Sequence, residues 1–196
     1  SPAEGDSSPS FTLVAEERAE KAKMLELLAS MRTYRETMFF VGAVDKLEGE
    51  VFETDRGKQW QTDLVHGYER ADEFLGIFAS RVQSQGYEGW IRRREGVPVE
   101  AVISSADSSI FILDLGFGPN EVSVEQRAPD WMLEAAESLL PEPSVEVWEE
   151  WESAVFFALA TGLPEEADGL AESIADISPE FDARWARLTI LRATSP

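Results

Sequence analysis

The chain reads as an α+β domain in which long helices precede an antiparallel meander of three or four strands and further helices follow it. Two observations predict this. Apolar residues recur at three- and four-residue spacing over residues 57–85, switch to a period of two between residues 88 and 126, and return to helical spacing after Pro129. Glycine- or proline-centred turns also sit at the changes of period, and no solenoid-type repeat is visible. Helices on both sides of one meander imply a single domain over residues 13–196, preceded by a flexible tail over residues 1–12. A length of 196 residues is enough for one well-buried core.

The tail is expected from a Pro-, Ser- and Gly-rich opening with few apolar side chains. Residues 14–47 then follow a helical pattern. Glu16 and Glu20, and Glu17 and Lys21, lie one turn apart, and acidic residues near the start complement the helix dipole. Met24, Leu28, Met31 and Met38 form a stripe suited to a core. The segment is long, so a break is expected between Arg32 and Gly42, and Glu48-Gly49-Glu50 reads as a turn.

Residues 57–85 form the clearest helix, with Trp60, Leu64, Ala71, Leu75, Phe78 and Val82 on one face and Gly86 as its stop. Four short runs follow, at residues 88–94, 97–104, 109–115 and 121–126. Ile110-Phe111-Ile112-Leu113 is apolar at every position, the pattern of an interior strand covered on both faces. Glu121-Val122-Ser123-Val124-Glu125 alternates, the pattern of a strand with one wet face. Helices are expected from Pro129 to Leu140, from Ser144 to Thr161 with Ser144 as N-cap and Gly162 as stop, over residues 165–177, and over residues 179–191 with Ser178 as N-cap.

Composition bounds the function. There are 38 Asp and Glu against 17 Lys and Arg, a net charge of −21. A field of that sign repels nucleic-acid backbones and anionic membranes and attracts basic surfaces. The same acidity also serves solubility or salt adaptation, and charge alone says nothing about fold. Absence of cysteine removes disulfides, thiol nucleophiles and Cys-based metal sites, and the single His66 removes His-rich ones. No apolar stretch reaches the roughly 20 residues of a membrane span, so a soluble protein is expected.

The residues that could carry function are few. Glu146, Glu149, Glu150 and Glu152 form an acidic stretch on the helix that also carries Trp148 and Trp151. This pattern is read as a docking face for Lys and Arg, with either Trp as an anchor. His66, flanked by Asp63, Glu69 and Arg70, is read as part of a solvated helix rather than a metal or catalytic group. Arg92-Arg93-Arg94 is the one basic run, with Arg92 and Arg94 expected to pair across strands with carboxylates such as Glu100.

The stretch from Ile110 to Asn120 contains Asp114-Leu115-Gly116-Phe117-Gly118 after an apolar strand. This short run resembles the first motif of Rossmann-type S-adenosylmethionine methyltransferases, in which a strand ends in an acidic residue and a glycine turn approaches the cofactor. The resemblance implies cofactor contacts at Asp114, Gly116 and Gly118. It departs from that family at Asn120 and in the strand-like residues 121–126, where a helix belongs. A hairpin turn is therefore the main reading and the enzyme the alternative.

The leading expectation is a non-enzymatic acidic interaction protein, such as an inhibitor, immunity-type protein, adaptor or chaperone. It would bind a basic protein surface, without cofactor, metal or direct nucleic-acid contact. A structural subunit of a larger assembly is the remaining alternative.

Overall fold

A computed structural model describes residues 9–193 and orders them as helices, then a four-stranded sheet, then helices. The N-terminal helices are α1 (Pro9–Ser30), α2 (Arg32–Thr37), α3 (Phe40–Glu48) and α4 (Asp55–Gln85). The strands are β1 (Tyr87–Ile91), β2 (Val99–Ala106), β3 (Ile110–Asp114) and β4 (Pro119–Ser123), followed by a 3₁₀ turn Val124–Gln126. The remaining helices are α5 (Pro129–Leu139), α6 (Trp148–Thr161), α7 (Pro164–Ala175) and α8 (Pro179–Arg192). The fold class is α+β, as the change of period predicts. Of the tail expected over residues 1–12, residues 1–8 lie outside the described residues, and the chain is already helical from Pro9.

The break expected after Arg32 is two breaks. Met31 leaves helical geometry between α1 and α2, and Met38 takes a left-handed conformation (φ 53°) that ends α2. Met24, Met31 and Met38 are all buried, so the stripe is core. Burial of the Met38 side chain offsets the roughly 1–2 kcal/mol that a left-handed backbone costs a non-glycine residue.

Helix α4 is the spine of the molecule. Thr54 caps it, its hydroxyl accepting from the Gly57 N–H at 3.0 Å, and Gly86 ends it at φ 78°. Its 31 residues extend about 46 Å, long enough to serve two layers. Toward its start, Trp60, Leu64 and Tyr68 face other helices, while Phe78 meets Phe111 of β3 (5.6 Å between rings) and Trp131 of α5 (6.0 Å). Between them, Phe74 stacks on Phe157 of α6 at 4.3 Å.

The sheet runs β1-β2-β3-β4, every neighbour antiparallel, with a bulge between Ile103 and Ser105 of β2. Its inner face carries Ile91, Ala101, Ile103, Phe111 and Leu113 into the core. Strand β3 is interior to the sheet, but it is covered on one face only: Phe111 and Leu113 are buried, whereas Ile110 is exposed and Ile112 half-exposed. An all-apolar run here does not mark a two-sided strand. The N-terminus of α6 also differs from expectation. Ser144 begins a turn, with Val147 N–H donating to its carbonyl at 3.2 Å, and the helix proper starts at Trp148.

One junction links fold to pH. Glu20 of α1 accepts from the backbone N–H groups of Glu53 and Thr54 and from the Thr54 hydroxyl, tying α1 to the start of α4. Gly57 gives it room, since a Cβ there would collide with the Glu20 carboxylate. Burial pushes the Glu20 carboxyl up, but the Thr54 hydroxyl, the two backbone donors and Lys23 outweigh it and hold the pKa below the usual 4.5. A depressed folded-state value stabilises above the unfolded pKa and is lost as pH falls through the folded one. Glu20→Gln should therefore narrow its stability deficit against the parent as pH drops below 4.5, measured as urea midpoints across pH. A deficit that is constant with pH would show that the carboxylate's charge contributes nothing here.

Candidate functional site

The expected acidic face on α6 does not form as one surface. Helix α6 is buried around nearly its whole circumference from Trp151 to Ala158, so its carboxylates meet different neighbours. Glu146 and Glu149 are exposed, and Glu149 stands 3.9 Å from Arg70. Glu150 is clasped by Arg81 through contacts of 2.6–3.1 Å. Glu152 is fully buried and cannot face a partner, which corrects its expected place on the surface. Trp151 is buried with its indole N–H donating to the Pro141 carbonyl at 2.9 Å, while Trp148 is half-buried against the core. Trp151 is thus a core residue and not an available anchor.

Glu152 belongs to an ion network at the junction of α4, α6 and α8. Its carboxylate accepts from Arg184 at 2.5 Å, lies 3.1 Å from Arg70 Nε and is 3.2 Å from His66 Nε2. Asp63, also buried, accepts a two-pronged contact from Arg187 at 2.7 and 2.8 Å and a hydrogen bond from Gln59. Arg184 reaches both carboxylates, standing 3.9 Å from Asp63. His66 is therefore part of a partly buried network, and the solvated-helix expectation is corrected. Both buried acids are ion-paired with guanidinium groups, although Glu152 Oε2 accepts no hydrogen bond from the described residues and has only the Arg70 contact. Among the described residues no group of three or more His, Asp or Glu is arranged to hold a metal ion.

The glycine run after Asp114 is a hairpin. Asp114 Oδ1 accepts from Gly116 N–H at 2.8 Å, Gly116 and Gly118 have φ of 81° and 112°, and Phe117 at the tip is 98% exposed. Strand β4 returns antiparallel to β3, pairing Asp114 with Pro119. Among the described residues, no helix N-terminus and no parallel neighbour stands at this turn, and those are the features through which the methyltransferase resemblance would position a cofactor. The arginine run also differs from expectation. Strand β1 ends at Ile91, and Arg92 reaches across to Asp130 and Glu134 of α5 at 3.2 and 2.6 Å. Glu100 lies opposite Trp90 instead.

The surface that stands out is the outer face of the sheet. Register places Glu88 opposite Val102, Trp90 opposite Glu100, Val102 opposite Asp114, Ile112 opposite Glu121 and Ile110 opposite Ser123. Trp90 is 61% exposed with exposed Val102 diagonal to it, and the half-exposed Ile112 continues the line to exposed Ile110 at the far end of β3. Among the described residues, none of Glu88, Glu100, Asp114 and Glu121 forms an ion pair, all four are exposed, and Trp90 borders a groove shared with Trp131 and Ala135 of α5. The result is a diagonal apolar strip bordered by four carboxylates that lack an ion-pair partner among the described residues, one of which, Asp114, also caps its hairpin turn. The alternation in residues 87–91 and 99–106, combined with the meander, carries the signal for this face. Its carboxylates are spread over four strands, so no local cluster marks it as the glutamates near residue 150 are marked.

Neither family models, curated proteins nor solved structures give a match to this chain. Among the described residues no helix is long and apolar enough to cross a membrane.

Proposed function

We propose that this protein is a non-enzymatic interaction module that docks a basic protein surface with an apolar centre on the outer face of its sheet. The observation that supports this is the diagonal strip of Trp90, Val102, Ile112 and Ile110 bordered by Glu88, Glu100, Asp114 and Glu121, none of which forms an ion pair among the described residues. An exposed Trp on a rigid strand supplies the kind of anchor that dominates binding energy. The carboxylates around it match Lys and Arg on a partner, and the net charge of −21 steers such a partner inward from a distance. Glu146 and Glu149 remain exposed and add to that field, whereas Glu150 and Glu152 are neutralised internally.

The test compares the parent with Trp90→Ser and with Glu100→Lys, each first shown to keep the parental melting temperature. A basic partner bound by the parent should dissociate on the order of 2 kcal/mol more readily from Trp90→Ser. Glu100→Lys should mainly slow association, and the parent's association rate should fall as salt rises, because surface charges are screened over about 8 Å at physiological ionic strength. Partners retained equally by all three proteins would place the interface elsewhere and sink the proposal.

A further inference from the structure

A second feature lies in the helical layer, away from the sheet face. Helices α1, α2, α4, α6 and α8 enclose a partly open cavity of about 170 Å³. Its walls are apolar, with Leu64, Phe156, Leu188 and Leu191 among them, and its polar groups are Arg35, Arg192 and Tyr68. Gly67 helps shape it, because a Cβ there would come within 2.6 Å of the Phe156 ring and force α4 and α6 apart.

The two arginines are the informative part. The Nε atoms of Arg35 and Arg192 are both buried and, among the described residues, have no hydrogen-bond partner. Buried N–H donors left unmade are rare, and a charged one is costlier than a neutral one. In a chain with 38 acidic residues, the Arg35 guanidinium still forms no ion pair among the described residues. Arg192 is held in place by Asp168, at 2.9 Å from its Nη2, and by the Trp185 ring at 4.6 Å, and neither contact uses its Nε. Tyr68 is buried, and desolvation raises its phenol pKa above the ordinary value despite the nearby Arg35, so it stays a neutral donor at pH 7.

We propose that this cavity binds a small organic monocarboxylate whose apolar body is about the size of a benzene ring, with the carboxylate received by Arg35 and Arg192. Size supports the apolar part, since a dry cavity of about 150 Å³ accommodates benzene. Charge supports the carboxylate, because two guanidinium groups offer it charge-assisted bonds that an uncharged ligand cannot use. The overall negative field selects a singly charged ligand, since the long-range repulsion grows with each added charge. The contact itself is local, inside a cavity where solvent screens less than it does at the surface.

The experiment titrates the full chain with benzoate and, as a neutral shape match, with toluene, by calorimetry and by NMR shift perturbation. Benzoate should bind saturably at about millimolar concentration or below, at least about tenfold tighter than toluene. Arg35→Met keeps the aliphatic stem and should erase that tenfold preference while leaving toluene binding within about twofold. Should Arg35→Met fail to fold, Arg192→Met gives the same readout from the other arginine of the lining. No saturable benzoate binding, equal affinity for both probes, or a preference that survives the arginine replacement overturns the assignment. None of these substitutions touches the sheet face, so failure here leaves the docking proposal standing.

Discussion

Glu152→Ala is expected to lower the unfolding free energy by about 3 kcal/mol, the lower end of the range for breaking a buried ion pair. The reason is what remains behind. Arg184, itself largely buried, loses its 2.5 Å contact, and Arg70 loses a fully desolvated carboxylate 3.1 Å away. The cost stays at the low end because Arg184 keeps Glu180 at 3.1 Å and Arg70 keeps Glu73 at 2.6 Å. Arg32 and Glu36, at the same 2.5 Å separation but 80% and 52% exposed, provide the contrast, and breaking that solvent-screened pair should cost far less. Burial, not distance, separates the two. Urea denaturation of both single variants measures the difference, and a cycle with Arg184→Ala isolates the coupling. Equal costs for the buried and exposed pairs would mean that water enters the α4–α6–α8 junction and replaces the network.

Phe157→Ala should be at least as damaging, at about 3–5 kcal/mol. Phe157 is fully buried, stacks on Phe74 at 4.3 Å and meets Phe40 edge-on at 6.0 Å, so one side chain joins α6 to both α4 and α3. Its loss removes the apolar transfer term, leaves a cavity, and breaks two aromatic contacts worth about 0.5–1.5 kcal/mol each. Phe157→Leu keeps most of the volume and should cost well under half as much. Phe117→Ala, at the exposed hairpin tip, should stay within about 0.5 kcal/mol of the parent. A Phe157→Ala melting temperature near the parent's would show that the neighbouring helices collapse into the gap.

Much of the fold was legible because its rules act over a few residues. The apolar spacing of α4, the Ser178 cap, and the glycines at residues 86 and 162 each act within one or two turns of chain. The same holds for the meander, whose turns follow from Asp107 and Asp114 accepting backbone N–H groups two residues on. The surfaces were legible only in part. Glu88, Trp90, Glu100 and Val102 alternate visibly in sequence, yet nothing local says that they stay exposed. The reading of residues 146–152 failed for a related reason. A helical wheel says which residues share a side, but α6 is packed on nearly all sides, so Glu152 is buried among cations contributed by α4 and α8.

The sequence by itself determined the α+β class, the order of helices and strands, the Met core stripe and the hairpin after Asp114. Only the tertiary structure decided which charges are free. It pairs Asp63 with Arg187 across 124 residues and His66 with Glu152 across 86, buries Arg127 with no hydrogen-bond partner for its Nε among the described residues, and leaves Arg35 lining a cavity. Backbone hydrogen bonds and apolar periodicity are local and repeat every few residues, so they can be read along the chain. The partner of a charged side chain depends on which distant elements pack beside it, and on how much water that packing removes.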